Sequence, residues 1–182
     1  KAVMTLVDEF RAVQLIELMP GALQSSGGST ANTMAGFASF GGKGLFIGKV
    51  KNDPLGQSFA ADLKRIGVHF ETAMAKGGTS TACCLIVVTP DGQRSMNTYL
   101  GACRELSPHD VDSKAIASAA ALYIEGYLWD AAGAKAAIRQ AIAAAKGAKR
   151  KVAMTLSDPF CVGRFREEFL ALLKSDVDIL FA

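Results

Sequence analysis

Apolar and polar positions along this chain follow two periods, one near 3.6 residues and one near 2, and the segments carrying them alternate. In residues 8–19 the apolar side chains of Phe10, Val13, Leu15, Ile16 and Leu18 recur at helical spacing, and Pro20-Gly21 closes the run. Residues 23–25 read as a short strand leading into Ser26-Gly27-Gly28. Residues 29–40 are again helical and end at Gly41-Gly42, the usual glycine C-cap. Residues 45–50 read as a strand, and Asp53-Pro54 opens a helix that runs to Ile66 and stops at Gly67.

The middle of the chain changes period. Residues 81–89 are rich in β-branched and apolar side chains, Pro90-Asp91-Gly92 signals a turn, and residues 93–100 read as the returning strand of a hairpin. From there strands at 122–126, 151–156 and 177–181 alternate with helices at 131–146 and 159–173. Such alternation predicts βαβ crossovers and a parallel sheet, hence an α/β layered fold carrying a hairpin excursion.

Composition narrows the class. With 182 residues, half of them hydrophobic, the chain can bury a substantial core and fits one domain, or one domain with a small appendage. Its net charge of +3 arises from mixed charges, and the basic cluster at residues 146–151 is broken by Gly147 and Ala148. That cluster reads as a solvated helix end, so no nucleic-acid partner is expected. Cys83, Cys84, Cys103 and Cys161 show no CxxC spacing; the adjacent pair reads as small core residues, and a cytoplasmic, reducing location is expected. The apolar stretch 115–124 is too short to cross a bilayer and there is no signal-peptide pattern, so no membrane partner is expected either. The first residue is Lys1, and residues 178–182 read as a buried strand with nothing after it, which suggests a piece of a longer protein.

The richest motif is Ser26-Gly27-Gly28-Ser29-Thr30-Ala31-Asn32. Glycines 27 and 28 tolerate positive φ and leave no Cβ in a ligand's way, Ser29 or Thr30 can cap the following helix, and Asn32 projects from its first turn. A helix N-terminus offers N–H groups and a positive dipole end to hydroxyls or anions. A tight strand-to-helix connection would equally explain the two glycines. The run lacks the GxGxxG of a dinucleotide fold, and Gly41-Gly42-Lys43-Gly44 lacks the hydroxyl of a P-loop, leaving Lys43 a surface residue. His69 and His109 have no partner spacing for a metal or a nucleophilic triad. Glu125 ends an apolar strand at the carboxyl rim, where open α/β sheets bind ligands, and a carboxylate there needs a polar site or a surface position. Asp158 is read first as a helix cap, Asp53 as either cap or site residue, and Trp129 as a filler beside the sheet.

The order of these pieces resembles the ribokinase-like, or phosphofructokinase B, family of carbohydrate and nucleoside kinases. The resemblance rests on SGGSTANTMAGFASFGGKGLFIGKVKNDPLGQSFAADLKRIGV, TACCLIVVTPDGQRSMNTYLGA, LYIEGYLW and TLSDPF, and it spans nearly the whole chain. In detail it is most similar to the bacterial sugar-kinase branch often labelled adenosine kinase. It implies a ribokinase-like layered αβα sheet with a small β lid, of which residues 1–182 hold roughly the N-terminal half. Gly27, Gly28 and Asn32 then match the turn that binds sugar hydroxyls. The 81–100 hairpin matches lid strands that often mediate homodimers. Glu125 matches an acidic residue near the phosphate and metal end of the site.

The implied activity is ATP- and Mg²⁺-dependent phosphorylation of a primary hydroxyl on adenosine, another ribonucleoside or a sugar. The chain has no counterpart of the family's first-strand aspartate, of its Asn-x-x-Glu element, or of the GAGD motif that supplies the anion hole and base. No catalytic residue or metal ligand is therefore assigned here, and the 182-residue chain alone is expected not to turn over. Two other classes stay open at this point. One is a non-catalytic ligand-binding or dimerisation module; the other is a dinucleotide-dependent oxidoreductase, against which the missing GxGxxG counts.

Overall fold

The computed structural model of the chain describes residues 4–182. Contacts group it into two compact units, the first ending at Cys103 and the second spanning Arg104–Ala182.

The first unit opens with β1 (Met4–Leu6) and α1 (Glu9–Glu17). Asp8 caps α1 by accepting from the Arg11 N–H at 2.8 Å. The strand expected at 23–25 is instead loop: Leu23 is 100% exposed, and its polar neighbours turn to a helix rather than to a sheet edge. Gln24 Nε2 donates to Ser58 Oγ at 3.3 Å, and Ser26 Oγ donates to Asp62 Oδ2 at 2.6 Å.

Helix α2 (Ser29–Ser39) ends as the glycine pair predicts. Gly41 takes φ +82, its N–H bonds Ala38 O, and the Gly42 N–H reaches back to Phe37 O. Strand β2 (Leu45–Phe46) is shorter than the expected 45–50, because its parallel partner β3 (His69–Phe70) offers two residues; beyond it only the single Lys51–Ala75 bridge forms. Between them lies α3 (Pro54–Arg65). Ala31, Leu63 and Val68 form the buried centre here, with Met34, Phe46, Phe59 and Phe70 packed against it. The three rings interlock with centroids 5.5 to 5.8 Å apart. This core ties α2 and α3 to the same pair of strands.

Strands β4 (Cys83–Val88) and β5 (Arg94–Tyr99) make the predicted antiparallel hairpin, with Gly92 at φ +77 in its turn. β1, too short to show a period, joins parallel to β5 with Met4 opposite Met96. The cysteine pair is not the core feature expected. Successive strand residues face opposite ways, so Cys84 is exposed while Cys83 is half-buried, and Thr98 Oγ1 donates to Cys84 Sγ at 3.3 Å.

The second unit contains α4 (Ser113–Ser118), β6 (Ala121–Glu125), α5 (Ala132–Gly147), β7 (Lys151–Thr155), α6 (Pro159–Ser175) and β8 (Ile179–Phe181). Its strands are parallel in the order β6-β7-β8. Helix α5 crosses from β6 to β7 and α6 from β7 to β8, and α5 packs against β6 and β7. The apolar stretch at 115–124 is thus divided between α4 and β6. Buried Ala134, Ala137, Ile138, Ala141, Ile142 and Ala145 form one stripe of α5, and Val152, Ala153 and Met154 are buried in succession, as in a strand covered on both faces. The basic cluster is a helix end followed by a strand start, with Lys146 and Lys151 both paired to Asp178. Among the described residues no helix is long and apolar enough to cross a membrane.

Candidate functional site: a glycine-capped helix and a strand-end carboxylate

Gly28 is the N-cap of α2, at φ +101 and ψ 141, and no side chain caps the helix. The expectation that Ser29 or Thr30 would do so fails for a geometric reason: both already lie inside the helix, Thr33 Oγ1 donating back to Ser29 O. The glycine that makes the bend has no side chain with which to cap the first-turn amides. A Cβ built at Gly27 or Gly28 meets nothing within 4 Å. At Gly28 the backbone requires glycine; at Gly27 neither φ nor internal packing does. Asn32 stands exposed on the first turn, its N–H closing the first helical bond to Gly28 O at 2.8 Å.

The turn is held from behind by α3. Asp62 accepts from Ser26, and that hydroxyl, then Arg65, holds its carboxyl below the usual aspartate value. At the other end of α3, Asp53 caps the helix through Gly56 N–H at 2.9 Å. The same carboxylate accepts from the Thr81 hydroxyl at 2.7 Å and the Thr81 N–H at 2.8 Å. Burial alone would raise the Asp53 pKa; these donors outweigh it, and the net shift is downward. Asp53 is therefore both a cap and a clasp on the segment entering β4. Thr81 is 6% exposed, and its hydroxyl also accepts from Lys51 N–H. Gly56 is obligatory, because a Cβ would stand 2.0 Å from Lys51 O.

Glu125 lies in the second unit, at the carboxyl end of β6. It is 4% exposed, and Tyr123 OH donates to it at 3.3 Å. The alternative of a strand-end surface position is excluded by that burial. The following turn, Gly126–Asp130, is pinned by the Tyr127 N–H to Ser157 Oγ and by buried Trp129, whose indole donates to Glu168 at 2.9 Å. Ser157 holds φ +74, a left-handed backbone that costs a non-glycine residue about 1–2 kcal/mol. Asp158 caps α6 through Cys161 N–H at 2.6 Å, as favoured from sequence. Desolvation and then the Asp158 carboxylate, to which it is hydrogen-bonded, push the Tyr127 phenol above its ordinary value.

The structure thus brings Gly27, Gly28 and Asn32 together in one turn and sets Glu125 in its own polar rim. Ser26–Asp62, Asp53–Thr81 and Tyr127–Ser157 were missed. Each joins residues about 30 positions apart or more through single polar contacts, which leave no periodic trace. Tyr99 was missed too: its buried hydroxyl has no hydrogen-bond partner among the described residues.

These elements make an α/β fold with parallel strands and helical crossovers. The pfkB family carbohydrate kinase profile matches residues 4–182, and the chain belongs to that family. Adenosine kinase from Sinorhizobium meliloti is 50% identical with TM-score 0.91, the match covering all of this chain and 56% of that one. A probable sugar kinase from Rhizobium etli CFN 42 matches equally, at 50% identity and TM-score 0.91, covering 55% of its chain. Fructokinase-2 of Solanum lycopersicum is 35% identical over 80 residues, 44% of this chain and 24% of the relative. The chain spans a little over half the length of the solved structures it matches. The ribokinase-like fold expected from sequence is the one observed.

The described residues do not by themselves fit a Mg²⁺ site. Among the described residues no three acidic, His or Cys side chains gather to hold a metal, and Asp158 is engaged in its cap.

Proposed function

We propose that the complete protein transfers the γ-phosphoryl group of ATP to the primary hydroxyl of a ribonucleoside, adenosine first, and that this chain supplies part of the acceptor site. The observation that carries this reading is the N-terminus of α2, opened by Gly28 at φ +101, with Asn32 exposed one turn along. In this reading Gly27 and Gly28 let acceptor hydroxyls approach the first-turn amides and Asn32 hydrogen-bonds them; Glu125 is the acidic residue that the family resemblance assigns to the phosphate and metal end. Family kinases use ATP, typically with Mg²⁺, whose chemistry is to stabilise charge on the transferred group. This chain's own contribution is to bind, orient and enclose the acceptor, which aligns the reacting atoms and excludes competing water. The identity to the S. meliloti adenosine kinase favours a nucleoside, and the local similarity to plant fructokinases favours a free sugar as the second reading.

The test is turnover by the complete protein with ATP and Mg²⁺ against adenosine, ribose and fructose. AMP formation at the highest kcat/KM supports the nucleoside reading. Preference for ribose or fructose moves the assignment to a sugar kinase, and turnover of none refutes both.

We also assign a cytoplasmic homodimer formed through the lid. Met4, Leu6, Cys84, Ile86, Val88 and Met96 share one face of the β1-β5-β4 sheet by register, and Ile86, Val88, Met4 and Leu6 are exposed there. Sedimentation velocity of the complete protein is expected to give a dimer; a monomer at micromolar concentration contradicts it.

A further inference from the structure

We propose that α3 is a strut coupling the acceptor turn to the root of the hairpin, with Ser26, Asp62, Asp53 and Thr81 as its positioning residues. The inference rests on the reading of Gly27–Asn32 as the acceptor turn and of the hairpin as a lid. Toward the C-terminal end of α3, Asp62 holds Ser26, and Ser58 in its first half accepts from Gln24, both in the segment that leads into Gly27-Gly28. At the other, Asp53 grips Thr81 through both carboxylate oxygens, and Lys51 Nζ donates to Gly78 O at 2.9 Å. At a rise of about 1.5 Å per residue the two clasps lie about 14 Å apart along the axis.

Both legs of the hairpin are caught at this root. The Ala102 N–H donates to Ser80 O at 2.9 Å, and Gly101, at φ +44, passes so close that a Cβ would stand 2.1 Å from the same oxygen. The strut itself cannot slide freely, since Leu63 and Phe59 lock it into the core that also holds Ala31 of α2, next to Asn32. A displacement of the hairpin root therefore reaches the glycine turn through α3, and an acceptor ordering the turn acts back on the root. Such coupling is reciprocal by thermodynamic necessity.

The experiment is hydrogen exchange, followed by mass spectrometry, on the complete protein and two variants. Thr81→Val removes the hydroxyl but leaves the Gly56 cap on Asp53; Ser26→Ala removes the other clasp. Thr81→Val is expected to raise exchange at residues 24–30 as well as at 81–84, by about two- to tenfold, the range for one lost hydrogen bond. Ser26→Ala is expected to raise exchange at 80–84 and 99–102, with β7 unchanged in both. Thr81→Ser, which keeps the hydroxyl, is expected to restore wild-type exchange at 24–30. Exchange that rises only beside each substitution overturns the strut. Ser26→Ala, a mild change, decides the matter even if Thr81→Val loosens the whole fold. Adding adenosine, ribose or fructose to the wild type separates the two claims. Protection at 26–33 without cross-talk between the clasps refutes the strut and spares the acceptor site; cross-talk without protection by any of the three does the reverse.

Discussion

In the second unit six residues of α5, three consecutive residues of β7, and Trp129 and Phe169 are all buried. The first unit has a smaller aromatic core around Leu63 and Val68, and leaves Phe10, Leu18, Leu23 and Phe40 largely exposed. Its glycine turn and hairpin root are held to α3 by carboxylate clasps instead. Apolar burial is non-directional and tolerates little movement in a dense interior, whereas a few hydrogen bonds fix a segment at chosen points and leave the rest to move. On the proposed reading, a sheet that stays put and a turn and hairpin that close on an acceptor call for these two different kinds of support.

The comparison breaks most readily at Trp129, which is 1% exposed, stacks on Phe169 and donates to Glu168. Trp129→Ala is expected to destabilise the protein by about 3–5 kcal/mol, read by chemical denaturation, because it leaves a large void and strips a partner from Glu168. A loss below about 1 kcal/mol would mean that this interior is less closely packed than its burial implies.

The clasps are sharpened by pH, with a smaller effect. Asp53 is held below its ordinary value of 3.8 once its donors outweigh burial. A depressed folded-state pKa gives stabilisation that is complete above the unfolded value and lost as pH falls through the folded one. Protection of the Thr81 amide, corrected for intrinsic exchange, is therefore expected to hold from about pH 7 to 5 and to decline below about pH 4. Constant protection down to about pH 2 would show that the carboxylate charge is not what grips Thr81.

The same division decides what the sequence made legible. The long helices, the hairpin about Pro90-Asp91-Gly92 and the β6-α5-β7-α6 alternation were readable, since burial on one face or both imprints a period on the residues; β8 was read as a strand, but it is exposed along its length rather than buried as expected. So were the caps at Asp53 and Asp158, where an acidic residue precedes proline, and the Gly41-Gly42 and Gly67 stops. β1 and β3, three and two residues long, carry no period. Leu23 misled because an isolated apolar residue before a turn looks like a strand end. Gly27, Gly28, Asn32 and Glu125 were visible as residue types out of pattern. The clasps that hold the turn were not, because Ser26 and Thr81 are ordinary residues whose partners are fixed only by the fold.

Asn32 puts the central claim to the most direct test. In the complete protein Asn32→Ala is expected to raise the acceptor KM about tenfold, the cost of one hydrogen bond to a bound hydroxyl, while the KM for ATP stays within about twofold. Acceptor kinetics unchanged by the substitution would contradict the account, and would take the glycine-capped helix out of the acceptor site.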